Sequence, residues 1–271
     1  MCGFVEPIYG TVWTMAVGNT KIAAVSYLNT VPFIYGINHA DMLRADVLLA
    51  PPAQCAKNFI DGNADIALVP AGALDLIPNA EIITNFCLGA EKSVRTVTVM
   101  SNVPIADVSK IWLDCHSMTS VRLTKILADE LWNIKPEWAD LTDYSVVDNP
   151  APNDGFLLIG DKVFSHEGQF RYTYDLADCW RELTGKPFVF AVWIARKGCI
   201  APETIDALEN SLELGVERIW EAIVEYGHSD KDYAYTYLTE NIDFLFDYDK
   251  RQALDLYREK VRKLTAHANP G

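Results

Sequence analysis

The chain has 271 residues, half of them hydrophobic, and a net charge of −14. That length buries a large core, as one big domain or two small ones. The acidic balance argues against nucleic acid and membrane surfaces as partners, because both select basic patches, but a few placed donors still hold a small anion.

The first twenty residues, MCGFVEPIYGTVWTMAVGNT, contain no Lys or Arg and no sustained apolar core. They read neither as an export signal nor as an anchor. Residues 1–20 are expected to be an N-terminal extension, with Met15 as an alternative start. From Lys21 an apolar, strand-like run stops at Asn29-Thr30, and Pro32 opens a helix. Two roles fit such a junction: Asn29 or Thr30 caps the helix, or the helix start forms an anion site.

RADVLLA (44–50) reads as a strand, and PPAQCAKNFIDG as a helix entered by prolines and left at Gly62. NADIALVP is a buried strand ending at Pro70, and AGALDLI a short helix. SVRTVTVMS, Ser93 to Ser101, alternates branched and polar residues as a strand crossing between two lobes would. KIWLD is a strand, and CHSMTSVRLTKILADELW a polar turn followed by a helix. Leu123, Ile126, Leu127 and Leu131 share one face of that helix. YSVVD and GFLLIGD read as strands, YDLADCWRELTG as a helix leaving at Gly185, and KPFVFAVWIA as a long buried strand. The C-terminal third is amphipathic helix.

Strands at Ser93–Ser101 and Lys186–Ala195 thus bracket a middle segment. The pattern predicts an α/β protein of two lobes joined by two crossings, with a ligand cleft between them. Residues 21–95 with 195–271 are expected to form one lobe and 96–194 the other.

Six cysteines without C-x-x-C spacing point to reduced thiols and a cytoplasmic location. The five histidines show no metal-ligand spacing, and there is no G-x-G-x-x-G, P-loop or G-x-S-x-G. No metal and no cofactor is expected. SMTS, Ser117 to Ser120, sets three hydroxyls at a helix start. They fit a helix cap and an uncharged carboxylate cradle equally well. With the junction at Asn29 on the opposite lobe, the arrangement favours a ligand carrying more than one anionic group.

VSYLNTVPF, GNADIALVP, SVRTVTVMS, LDCHSMTSVRL, LLIGD and YDLADCWRELTGKPFVFAVW occur in this order over Lys21–Leu264. In them the sequence resembles chorismate dehydratase, the first enzyme of the futalosine route to menaquinone. The resemblance implies a type II periplasmic-binding-protein-like fold used as a cytoplasmic enzyme. It also implies chorismate as the small-molecule partner, a lyase reaction, and the product 3-[(1-carboxyvinyl)oxy]benzoate plus water. It places Asn29 on the family's catalytic asparagine, Thr96 where serine is usual near the substrate, and Ser117, Thr119 and Ser120 on its carboxylate-binding turn. Tyr27, Thr30 and Asp161 are expected beside them. Met118 replaces a usual arginine, and Glu91-Lys92-Ser93 an acidic-Gly-Pro stretch.

An asparagine amide is not a base at neutral pH; the resemblance implies the substrate's own enolpyruvyl carboxylate as the base, and His116, which adjoins the cradle, is its rival. Two other readings share the fold. A solute-binding protein should carry an export signal, and a 1,4-dihydroxy-6-naphthoate synthase lacks SYLNTVP here. APNDGF (151–156) resembles a motif of that synthase but sits in mid-chain, and is read as a turn. Because nothing before Lys21 carries a motif, a chain begun at Met15 is expected to keep its melting temperature and turnover; a clear drop in melting temperature would show that the upstream segment packs on the fold.

Overall fold

The computed structural model describes residues 19–114 and 117–268. His116 and all of the expected extension up to residue 18 lie outside them. Strand β1 (Thr20–Val25) leads through one 3-10 turn, Leu28–Thr30, into α1 (Val31–His39), β2 (Ala45–Ala50), α2 (Pro52–Ile60) and β3 (Ile66–Pro70). A 3-10 segment, Ala71–Leu76, precedes β4 (Ala80–Ala90). The chain then builds β5 (Val97–Ser101), β6 (Lys110–Leu113), α3 (Met118–Glu130), β7 (Glu137–Asp140), α4 (Ser145–Asp148), β8 (Asp154–Ile159), α5 (Lys162–Ser165), β9 (Tyr172–Asp175) and α6 (Leu176–Thr184). It returns with β10 (Phe188–Arg196), α7 (Pro202–Glu217), α8 (Ile219–Tyr226), α9 (Lys231–Thr236), a π-helical turn at Tyr237–Asn241, β11 (Asp243–Leu245) and α10 (Tyr248–Ala268).

Two sheets result. One runs β11-β4-β10-β3-β1-β2 and the other β7-β6-β8-β5-β9. Strands β1, β2 and β3 are parallel, as are β6, β7 and β8, while β10 and β5 run against their neighbours. Every residue of β3 and of β8 is buried. Helices cover the faces of parallel strands, so a central strand reads as a continuous apolar run.

Each crossing between sheets is a loop, where a crossing strand was expected. The first spans 91–96. Asp175, at the end of β9, accepts the N–H groups of Val94 (3.2 Å) and Arg95 (2.7 Å) and the Ser93 hydroxyl (2.8 Å). Arg95 is held at φ 62°, which no ladder admits, so β5 starts only at Val97. The second crossing falls at Gly185-Lys186-Pro187, after α6 ends in a left-handed Gly185. Since β10 pairs with β3 and β4, residues 188–194 belong to the first sheet, and the expected boundary at 195 moves back to the loop before Phe188.

Ser145–Asp148, expected as a strand, is one helical turn. The Asp143 carboxylate accepts the Ser145 N–H (2.9 Å) and hydroxyl (2.8 Å), a local bond that competes with strand pairing.

Helices α1 and α7 touch backbone to backbone. A Cβ on Gly36 would lie 1.8 Å from the Ser211 carbonyl oxygen, and one on Gly215 equally close to that of Pro32. This contact seats α1, and therefore the Asn29 turn that feeds it. Gly36→Ala is expected to cost about 3 kcal/mol in denaturant unfolding, the upper end of overpacking costs. The gain that alanine brings to a free helix would instead show that α1 and α7 can separate.

Candidate functional site

The strand-to-helix turn after β1 is not capped by its own side chains. Neither Thr30 ahead of α1 nor Tyr27 ahead of the 3-10 turn makes a side-chain cap bond. Thr30 is fully buried, and its hydroxyl donates to Asn29 Oδ1 at 3.2 Å. Asn29 is thereby held from behind, with its amide facing a cavity between the lobes.

That cavity is walled by Tyr27, Asn29, Pro52, Pro70, Leu88, Phe190 and Ile242 from the first lobe, by Val94 and Thr96 from the crossing, and by Ser117, Ser120, Ile159 and Gly160 from the second. The fold brings Tyr27, Asn29, Thr96, Ser117 and Ser120 together on this wall. The cavity has a volume of about 50 Å³, against the several hundred of a metabolite site, so holding such a ligand requires it to widen. Tyr27 also lines a second cavity of about 200 Å³, which adds Ser26, Tyr35, Asn38 and Glu225. It rests on Gly160, where a Cβ would come within 3.1 Å of the ring and φ is +66°. Burial pushes the Tyr27 phenol up to about 12, helped by the charges of Asp114 and Asp161, so it stays a neutral donor.

At the opposite pole, the cap that the sequence suggested at Ser117 is present. The Ser117 Oγ accepts the Ser120 N–H (3.3 Å) and hydroxyl (3.0 Å), capping α3. That uses its lone pairs and leaves its own proton to give. Thr119 turns away: its hydroxyl donates to the Phe190 carbonyl (3.1 Å) and accepts the Gly72 N–H (3.0 Å) from the other lobe. The Gly72 carbonyl in turn takes the Arg122 guanidinium. Met118 packs half-buried against the core and is absent from the wall, so the residue in the usual arginine's place does not face this cavity.

Asp161 does not line the cavity either. Its carboxylate reaches across to the Leu28 N–H, closing the 3-10 turn from the opposite lobe. Thr96 is buried, and its hydroxyl bonds the hydroxyl of Tyr237 at 2.9 Å. Tyr237 has no signal in the sequence; it lies 141 residues from Thr96. Burial lifts its phenol well above the ordinary range, against the pull of hydrogen bonds from Thr96 and Asn29.

None of the described wall residues is charged. Among the described residues, Glu91, Asp243 and Asp247 cluster as a cation would need, and the buried Lys250 ammonium already sits among them at 3.0, 2.7 and 3.0 Å. The cavity thus offers neutral donors at two poles about an apolar waist, which suits an anion with an unsaturated carbon frame.

Residues 20–263 match the family model described as menaquinone biosynthesis. The chain belongs to that family. A chorismate dehydratase of Thermus thermophilus is 26% identical over 200 residues, covering 65% of this chain and 70% of that protein. A crystal structure of a protein from Archaeoglobus fulgidus superposes with a TM-score of 0.74 at 16% identity, covering 93% of this chain and 99% of the other. The periplasmic aliphatic sulphonate binding protein of Escherichia coli gives 0.63 at 11% identity, covering 92% of each. The fold is the type II periplasmic-binding-protein-like one, two α/β lobes about a ligand cleft. Among the described residues, no helix is long and apolar enough to cross a membrane.

Desolvation raises the Asp161 carboxyl above its ordinary 3.8, and the Leu28 N–H offsets only part of this. The folded state therefore holds this proton more tightly than the unfolded chain, and stability falls as pH rises from about 4 through the raised value. Asp161→Asn keeps an acceptor for Leu28 and removes the charge. Its melting temperature should exceed wild type at pH 7.5, by a small margin because the group is partly open to solvent, with the margin closing towards pH 4. An equal or lower melting temperature at pH 7.5 would show that the charged form is the favoured one.

Proposed function

We propose that this protein is a chorismate dehydratase that converts chorismate to 3-[(1-carboxyvinyl)oxy]benzoate in the cytoplasm. The observation that carries the reading is a cavity between the lobes with uncharged donors at both ends, in a chain of the menaquinone biosynthesis family. Chorismate has two carboxylates on a partly unsaturated ring. The free Ser117 hydroxyl proton, held in place by Ser120, takes one carboxylate together with the first turn of α3. The free thiols of Cys55, Cys87, Cys179 and Cys199 support a reducing compartment.

The reaction breaks the bond to the ring hydroxyl and the bond to a hydrogen on the neighbouring ring carbon. The electrons of the C–H bond become the third ring double bond, those of the C–O bond leave with the hydroxyl, and the two fragments make water. Aromatisation drives the step, so the protein's task is to hold the substrate and ease the proton and hydroxyl apart. None of the described wall residues is a carboxylate or an imidazole. In this reading the enolpyruvyl carboxylate, carried on the carbon that loses its proton, is the base, and His116 beside the cradle is its rival. Asn29 donates to the oxygen on which charge develops.

Purified protein should convert chorismate to a species lighter by one water, with the ultraviolet spectrum of a substituted benzoate and without inhibition by chelator. Asn29→Ala should lower kcat about 10²- to 10³-fold while chorismate still binds. Ser117→Ala with Ser120→Ala should chiefly weaken binding, by about 10- to 100-fold. Tight chorismate binding by fully competent protein without dehydration over hours would replace this reading with that of a solute-binding protein.

A further inference from the structure

The wall residues Asn29 and Thr96 come from different parts of the chain, yet one buried hydroxyl stands behind both. Tyr237 is 1% exposed, and its Oη lies 2.9 Å from Thr96 Oγ1. On its other side the Asn29 side chain hydrogen-bonds the same oxygen. The directions of these bonds follow from the ends of the chain. The Val94 carbonyl can only accept, so the Thr96 hydroxyl at 3.4 Å donates to it. Tyr237 must then donate to Thr96, which leaves the lone pairs of its oxygen for Asn29. Because the Tyr237 proton goes to Thr96, its oxygen can only accept from Asn29, so Nδ2 faces Tyr237 and Oδ1 is left to accept the Thr30 hydroxyl. The result is a relay with a single polarity: Thr30 to Asn29, Asn29 to Tyr237, Tyr237 to Thr96, Thr96 to Val94.

We infer that Tyr237 is a positioning residue that locks the Asn29 amide in one orientation, with its second N–H aimed into the cavity as a donor. Nδ2 carries two hydrogens, and the relay uses one. Packing does not call for the hydroxyl, because the ring already meets Phe164 edge-on at 5.6 Å, a contact phenylalanine would keep. The backbone also departs from regularity here. Tyr237 opens a π-helical turn closed by the Ile242 N–H on the Tyr237 carbonyl (3.3 Å). In an α-helix two residues five apart point about 140° away from each other; the wider turn brings Tyr237 and the wall residue Ile242 to the same side.

The kinetic part of the test rests on the dehydratase reading, and the spectroscopic part does not. Tyr237→Phe should lower kcat for chorismate about 10- to 100-fold with KM within about twofold, the signature of a misaimed donor. With ¹⁵N-labelled asparagine, the Asn29 side-chain amide should show two inequivalent, exchange-protected protons in the wild type, and lose that protection in Tyr237→Phe. If the phenylalanine variant does not fold, 3-fluorotyrosine placed at 237 keeps the hydroxyl and should still shift the Asn29 amide resonances. Unchanged kcat in Tyr237→Phe, a rise in KM alone, or an Asn29 amide indifferent to either substitution would overturn the inference. Wild-type protein inert towards chorismate would sink the dehydratase reading while leaving the amide measurement to decide on Tyr237.

Discussion

One carboxylate sets the relation of the two lobes. Asp175 ends β9 and caps α6 by accepting the N–H groups of Ala177 and Asp178, at 2.9 and 3.3 Å. The same side chain gathers Ser93, Val94 and Arg95 of the outgoing crossing, so the first passage between sheets and the start of α6 meet at a single charge. Hydrogen bonds to an ionised acceptor are about twice as strong as neutral ones, and five converging donors leave the backbone there little freedom. From the other lobe, Lys250 grips Glu91, and Asn241 donates to the Ser93 carbonyl at 3.0 Å. Thr96, at the end of this tethered segment, is delivered to the cavity wall by its neighbours rather than by any preference of its own.

The electrostatics of the cavity run against the molecule's overall sign. A surface of net charge −14 repels a dianion at long range, and the described wall residues supply no cation to reverse this. What would hold the proposed anionic substrate is local: hydroxyls, an amide and the first turn of a 13-residue helix. Such dipoles, once water is displaced by substrate, act through a low dielectric and need no reorganisation when charge moves, whereas a lysine would bind reactant and product carboxylates alike. The one fully buried ammonium, Lys250, serves the crossing instead.

How much of this could be read from the sequence depends on how local its cause was. Buried central strands such as β3, and the face of α3, announced themselves because composition and periodicity are local. Strand β4 went unread: AEIITNFCLGA has no clean alternation, its pairing with β10 shifts register twice, and the Thr84 hydroxyl is engaged with its own Phe86 backbone. Strands β7, β9 and β11 are too short to carry a pattern. The site divides in the same way. Asn29, Ser117 and Ser120 sit at strand-to-helix junctions, which sequence marks well. Thr119 shares the cradle's chemistry, but its hydroxyl is claimed by Gly72 and Phe190, residues remote in sequence. Gly160 had a signal, a glycine directly after an apolar strand, though its partner Tyr27 did not show.

The small volume of the cavity bears on traffic. A site that must widen as it fills, behind a surface that repels the proposed substrate, captures slowly and lets go slowly, because the same widening governs arrival and departure. Such a site is served better by a steady supply of ligand nearby than by fast search through solution. A flat molecule would leave more readily than a puckered one of the same mass.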